Sequence, residues 1–309
     1  MIRWTVQPGD PRFLREFLRE KGISRRIVGR VKFHGGKMWV NQQRVKVSHL
    51  IEPGDEIVME LAPEPANDLL LTSHTPLDIL YEDDWFLIVN KPSHLVSVPS
   101  IAHYEETMAS RVKGHLLRNN CPYQVVHTVT RLDRFTSGAM LFAKHMLAHS
   151  VMDEYLRSGR LHKEYLALAH GQVAPSHDVI DAPIARSEES IIERCVRADG
   201  KPAVTEYWVL QTYDYPASLL KLHLHTGRTH QIRVHLSHRG HPLLGDDLYG
   251  GQKSLIDRQA LHCQRLSFVH PVTSEMLDVS APLPNDMSGA IRLLEGSQLD
   301  NGVITCLDD

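Results

Sequence analysis

Asp133 stands in the run TRLDRFTSGAML, between Arg131 and Arg134 and just ahead of Thr136, Ser137, Gly138 and an apolar stretch. Flanking guanidiniums favour an ionised carboxylate, which suits a nucleophile or an electrostatic stabiliser better than a proton donor. The same residue also fits a turn aspartate bonded to the Thr136–Ser137 backbone, and the segment alone leaves both readings open. A second candidate lies in LLKLHLHTGRTHQIRVHLSHRGHPLLGDDLYGG. Leu220, Leu222 and Leu224 alternate with polar residues as in a half-buried strand, and Gly227–Arg228–Thr229 makes a corner. Thr229 is placed to cap a helix that Gly240 and Pro242 end. Arg228 is thus expected at a rigid strand-to-helix corner, a place from which a guanidinium pairs with a carboxylate. The six histidines from His223 to His241 match no standard zinc spacing and read as solvated or structural. In RLHKEYLALAHG, Tyr165 shares a strand face with Ala167 and Ala169, and on its own reads as a core tyrosine with its hydroxyl at the rim.

These groups need a scaffold, and the patterning describes one. LDILYEDDWFLIVNKP reads as two strands around the Glu82–Asp83–Asp84 turn, and GAMLFAKH, HKEYLALAHG, AVTEYWVL and SLLKLHLH read as further strands. Helices are expected near Glu106–Leu117, His145–Ser158 and Thr229–Arg239. Strands and helices interleave without a regular repeat, so a mixed α+β domain over residues 77–285 fits best. Ahead of it, residues 10–62 read as a small module. Phe13, Leu14, Phe17 and Leu18 recur at helical spacing, Gly22 stops that helix, and Ser24 caps a second. GGKMWV, a turn at Asn41–Gln43, a return strand and PGDEIVMEL follow. Residues 63–76 read as a linker and 286–309 as an acidic tail with flexible character.

At 309 residues the chain has room for a large and a small domain. It has no apolar run long enough for a membrane span, and Arg3, Trp4 and Asp10 occupy the place where a signal peptide would be apolar. Cys121, Cys195, Cys263 and Cys306 are scattered, which suits reduced thiols. The net charge is only −3, but it is unevenly spread. Residues 1–50 carry twelve Lys or Arg against three acids, and residues 51–84 carry ten acids and no Lys or Arg. The first stretch presents Arg25, Arg26, Arg30 and Lys32 on short helices, a cationic platform suited to a phosphate backbone.

VNKPSHLVSV, RLDRFTSG, LHKEYLALAHG, GKPAVTEY, the long HTGRTHQIR…GDDLYGG block and LHCQRLSFVHP resemble, in order, the successive motifs of RluA-type RNA pseudouridine synthases. SRR, GGKMWVNQQRVK and IEPGDEI resemble the small S-four-like RNA-binding module. The resemblance implies a mixed, largely antiparallel sheet domain behind that module. It implies an isomerase acting without a cofactor on structured RNA, ribosomal RNA ahead of transfer RNA, in bacterial cytoplasm, with neither a membrane nor an obligate protein partner. It makes Asp133 the catalytic aspartate, Arg228 the arginine paired with it, and Tyr165 the tyrosine lying against the base, with a general-base role open to it. Arg131 becomes the residue entering the stack the uridine leaves, and Gln231 a further RNA contact. Thr130, Phe135 and His94 depart from the family pattern, where His, Asp and Gly are usual. Two rivals stand beside this reading. One is an RNA-binding protein that keeps the fold without catalysis. The other is a glycosidase or base-excising enzyme, which would want two carboxylates about the scissile bond, whereas Asp246 and Asp247 are remote in sequence from Asp133.

Overall fold

The computed structural model of the chain describes residues 2–33, 35–61, 64, 67, 69–100 and 106–296. Four strands near the amino terminus, β1 (Ile2–Thr5), β2 (Lys37–Val40), β3 (Gln43–Arg44) and β4 (Glu56–Glu60), form a sheet in the order β1-β4-β2-β3. Helices α1 (Leu14–Glu20) and α2 (Arg25–Phe33) cover it, with Leu14, Phe17 and Leu18 fully buried. The Ser24 hydroxyl accepts from the Ile27 amide, the cap expected for α2. The module begins earlier than residue 10. Ile2 and Trp4 point inward while Arg3 and Thr5 point out, and β1 zips onto β4. Such a strand is too short to stand out from its charged neighbours until its partner is known.

The larger sheet runs β10-β13-β14-β9-β15-β8-β6-β5, with β16 added on β15 and β7 on β8. In chain order its elements are β5 (Ile79–Glu82), β6 (Phe86–Lys91), α3 (Met108–Arg118), β7 (His127–Thr128), β8 (Ser137–Ala143) and α4 (Met146–Ser158). There follow β9 (His162–His170), β10 (His177–Asp181), a ribbon of β11 (Ile184–Arg186) and β12 (Arg194–Val196), β13 (Val204–Tyr213) and β14 (Ala217–Leu224). The last elements are α5 (Gln231–His238), β15 (Leu261–Val269), β16 (Met276–Ser280) and α6 (Asn285–Gly296). All of its described strand pairs are antiparallel except β8 with β15, so the fold is α+β with a mixed, largely antiparallel sheet.

The β8–β15 seam positions the chemistry. Every residue of β8 is buried, as an apolar run covered on both faces should be. Gly138, second in the strand, sits at φ +112°, and a Cβ there would lie 2.2 Å from the Cys263 carbonyl oxygen. No other residue allows that approach, which brings the turn ahead of β8 against β15. On the far side of β15, β9 places Tyr165 in register with Cys263. Asp133 and Tyr165, separated in sequence, thus reach one place.

Two expected boundaries change. In segment 63–76, Glu64 accepts from the Met146 amide and pairs with His127, and Ser73 and Leu70 bond to Ser110 and Lys113 of α3. The described part is therefore a strap laid on the domain, and residues 63, 65, 66 and 68 lie outside it. The acidic tail also folds: α6 buries Met287, Ala290 and Leu294 against Leu168, Tyr213 and Leu244, and its Asp286 pairs with the buried Arg258. Residues 297–309, Cys306 among them, lie outside the described residues, and Cys121, Cys195 and Cys263 are free thiols.

Candidate active site

The turn that carries Asp133 is held by its backbone. Ser97 Oγ accepts from the Leu132 amide at 3.0 Å and donates to the Leu132 carbonyl at 2.6 Å. Arg258 Nη1 donates to the Phe135 carbonyl at 2.9 Å, and Thr136 N donates to the Asp133 carbonyl at 3.1 Å. Lys91, fully buried, gives its ammonium to the carbonyls of Pro92, Leu95 and Arg134. Burial pulls its pKa down to about 7, with the Asp133 charge opposing the shift. Because neighbouring groups satisfy this backbone, the Asp133 carboxylate has no turn to hold and faces a cavity of about 750 Å³. The turn-aspartate reading is thereby set aside.

Two groups meet that carboxylate, and Arg228 is neither. Arg233 Nη1 lies 3.5 Å from Asp133 Oδ2 and His230 Nε2 4.0 Å from it. Arg228 instead donates from Nε to the Pro202 carbonyl at 2.9 Å and is exposed on the corner. The expected Arg228–Asp133 pair is therefore corrected to Arg233–Asp133. Arg233 is held by Asp246 through two 2.7 Å hydrogen bonds, the Asp246 side chain being wholly buried. Asp246, remote in sequence, thus reaches the site as an aiming group and not as a second free carboxylate.

Tyr249 supports the same constellation. Its hydroxyl accepts from the Arg194 amide at 3.0 Å and shares a 2.8 Å hydrogen bond with His230 Nδ1, whose other ring nitrogen, Nε2, faces Asp133. Burial lowers the His230 pKa, Arg233 and Arg194 push the same way, and Asp133 opposes. The Tyr249 ring also lies under the Arg233 guanidinium, 4.8 Å from its centroid.

Gln231 is a second correction. It is buried at the start of α5, accepts from Thr226 Oγ1 and the Arg228 amide, and donates to Val204 O and Thr205 Oγ1. With these bonds made it builds the corner and has nothing left for RNA. Thr229 does not cap α5: the residue before the helix is His230, in the left-handed region at φ 58°. Tyr165 lines the cavity and is buried, and burial holds its phenol well above the ordinary range. A phenol that stays protonated is poorly suited to the general-base role left open to it, and offers its ring face instead. Arg131 is exposed and lines the cavity with Asp133. Arg25, Arg30 and Lys32 sit on α2, away from the cavity lining, and the side chain of Arg26 lies outside the described residues.

The departures from the family pattern have visible places. Thr130 is buried, its hydroxyl accepting from the Leu141 amide. His94 and Phe135 meet edge to face at 4.9 Å, with the Arg134 guanidinium 5.1 Å from the Phe135 ring. Of the histidines between 223 and 241, His225 bonds Glu206, His235 bonds Thr205 and the Ala182 carbonyl, and His241 bonds the His170 carbonyl. Sequence reasoning missed Arg233, His230, Tyr249, Lys91 and Arg258. The one signal for Arg233 was its place beside Ile232 on the inward side of a helix.

The chain is similar to known proteins over most of its length. The family model described as RNA pseudouridylate synthase matches residues 85–238. An RNA pseudouridine synthase of Bacillus subtilis (strain 168) is 44% identical over 279 residues, covering 90% of this chain and 98% of that protein. The "Ribosomal large subunit pseudouridine synthase D" of Haemophilus influenzae is 34% identical, covering 86% of this chain and 87% of that one. Among solved structures, human RNA pseudouridylate synthase domain containing 1 aligns with a TM-score of 0.55 at 27% identity, over 75% of this chain and 97% of that chain.

Proposed function

The chain belongs to the RluA-type RNA pseudouridine synthases, isomerases that act on RNA, and from that premise we propose that it isomerises specific uridines of structured ribosomal RNA with Asp133 as its essential carboxylate. The observation that carries the role of Asp133 is its position: a carboxylate facing the cavity, met by an arginine that a fully buried aspartate aims. Ribosomal RNA is preferred over transfer RNA because a relative with 34% identity is named for the large ribosomal subunit.

The reaction breaks the bond from the sugar to N1 and forms one from the sugar to C5, N1 gaining a proton and C5 losing one. A stacked base has no room for this, so the nucleotide flips out at a cost of a few kcal/mol. Arg131, exposed at the cavity wall, fills the vacated stack with its planar guanidinium and offsets part of that cost. Asp133 either attacks covalently or removes a sugar proton. In both routes it works beside developing positive charge, with Arg233 fixing its position before the reaction begins. Tyr165 lies against the detached uracil through its ring. The amino-terminal module adds phosphate contacts that are indifferent to base identity.

The test follows from the C5–H bond. RNA transcribed with uridine tritiated at C5 should release tritium with wild-type protein and retain it with Asp133→Asn. Free uracil in place of tritium release would identify a base-excising enzyme. Binding without either product would leave the non-catalytic RNA-binding protein.

A further inference from the structure

Beside the active cavity lies a second cleft of about 440 Å³, and the two share the corner Gly227–Arg228–Thr229. Its walls carry Arg186, Arg194, Lys201 and Arg228. Arg186 and Arg194 stand directly opposite one another in the β11–β12 ribbon. Like charges facing across a two-stranded ribbon repel, and among the described ion pairs neither has a carboxylate partner. Asp199, the acid lining the cleft, is taken up by both ends of the Arg197 guanidinium at 2.5 and 3.0 Å, and Glu188 is taken by the same arginine.

The cleft is also built firmly. Lys201 exchanges two 2.9 Å backbone hydrogen bonds with Ile184. Gly200 permits that approach, since a Cβ there would lie 2.6 Å from the Ile184 carbonyl carbon. The Arg194 amide bonds to the Tyr249 hydroxyl, which in turn bonds the histidine facing Asp133. The cationic ribbon is therefore held at a set position relative to the catalytic carboxylate. A cluster of cations on a fixed ribbon, with Asp199 and Glu188 beside it already paired to Arg197, is a site for an anion.

We propose that this cleft binds a backbone phosphate of the RNA strand flanking the nucleotide held in the active cavity. The proposal rests on reading the neighbouring cavity as the uridine site, because contiguity through the Arg228 corner selects a phosphodiester over a free anion. Bound phosphate relieves the Arg186–Arg194 repulsion and sets the register of the strand. It contributes to substrate binding and does not touch the reacting atoms.

The test compares wild-type protein with Arg186→Gln/Arg194→Gln, Lys201→Gln and the conservative Arg186→Lys/Arg194→Lys, on unmodified large-subunit ribosomal RNA transcribed in vitro. The Gln double variant should bind about tenfold more weakly and lower the slope of log affinity against log salt by about 1 to 2. Its single-turnover rate at saturating protein should fall by much less than its affinity. Its melting temperature should not fall, since a repulsion has been removed. Lys201→Gln should lower the slope by about one unit or less. The Lys double variant should keep most of the affinity, because a phosphate accepts a point charge. Wild-type affinity and slope in the Gln double variant would overturn the proposal. A lowered rate with unchanged affinity would overturn it as well, showing a structural effect passed through Tyr249. A wild-type protein that forms no pseudouridine yet shows the same charge-dependent binding would support the cleft and sink only the reading of the cavity beside it.

Discussion

Replacing Arg233 by glutamine separates what this arginine does for the fold from what it does for the reaction. The guanidinium is buried, bonded twice at 2.7 Å to a carboxylate with no exposure, and reaches Asp133 at 3.5 Å. Arg233→Gln leaves Asp246 charged, buried and without its partner, which costs about 3–5 kcal/mol. In a chain of this size that lowers the melting temperature by roughly 5–8 °C. Asp246→Asn orphans the arginine instead and should cost a similar amount. The double variant removes both charges, so about half or more of the loss should return. The rate should not return with it. Asp133 still lacks the cation that aims it, a loss of about 1.5–3 kcal/mol, or about 10- to 100-fold in single-turnover rate. Thermal melts and tritium release on the same three variants read both quantities. A double variant that recovers rate along with stability would refute the reasoning and reduce Arg233 to a structural brace.

Three further outcomes are expected. Arg228→Gln should weaken RNA binding and leave the single-turnover rate at saturation nearly unchanged, since this side chain meets Pro202 and not Asp133; a rate loss matching that of Arg233→Gln would contradict the corrected pairing. His145 caps α4 by accepting from the Ala148 amide at 3.1 Å, and burial lowers its pKa to about 4, so the unfolded chain takes up its proton first as pH falls. Its share of stability is complete above about 6.5 and is lost between there and about 4, up to roughly 3 kcal/mol, and His145→Asn, which keeps a cap, should flatten the pH dependence of the melt over that window. Arg25→Gln, Arg26→Gln and Arg30→Gln together should weaken RNA binding and flatten its salt dependence while sparing the chemical step, and an unchanged salt slope would remove the amino-terminal module from the interface.

Much of the fold was legible because its elements advertise themselves locally. The expected strands at GAMLFAKH, HKEYLALAHG, AVTEYWVL and SLLKLHLH appear as β8, β9, β13 and β14, and the Glu82–Asp84 turn sits between β5 and β6. What stayed hidden is non-local. The parallel pairing of β8 with β15 joins residues 125 positions apart, as the Ser137–His262 hydrogen bond shows, and no periodicity reveals it. The helix α6 had its apolar stripe, Met287, Ala290 and Leu294, in plain view, but the acidic composition of the tail outweighed it.

The site shows the same division. Motif order brought Asp133, Tyr165 and Arg131 to one cavity. The choice between two arginines of GRTHQIR turned on direction, which a sequence pattern does not carry. Arg228 lies in the extended corner and its side chain meets Pro202. Arg233 lies within α5, where side chains lean back toward the helix start, and that lean carries it toward Asp133. Asp246, which aims it, arrives thirteen residues later from a loop, at a distance where spacing says nothing. Buried lysine and arginine were missed for a related reason. Lys91 and Arg258 serve the carbonyls of the Asp133 turn, a demand visible only once that turn is folded.

The central claim is that Asp133 isomerises particular uridines, and the most direct test maps pseudouridine in the RNA itself. Ribosomal RNA from cells lacking this protein would be incubated with wild-type protein or Asp133→Asn, treated with carbodiimide and read by reverse-transcription stops. One or a few stops found only with wild type would support the account and name its uridines. No new stop with wild-type protein, despite tight and salt-dependent RNA binding, would contradict it.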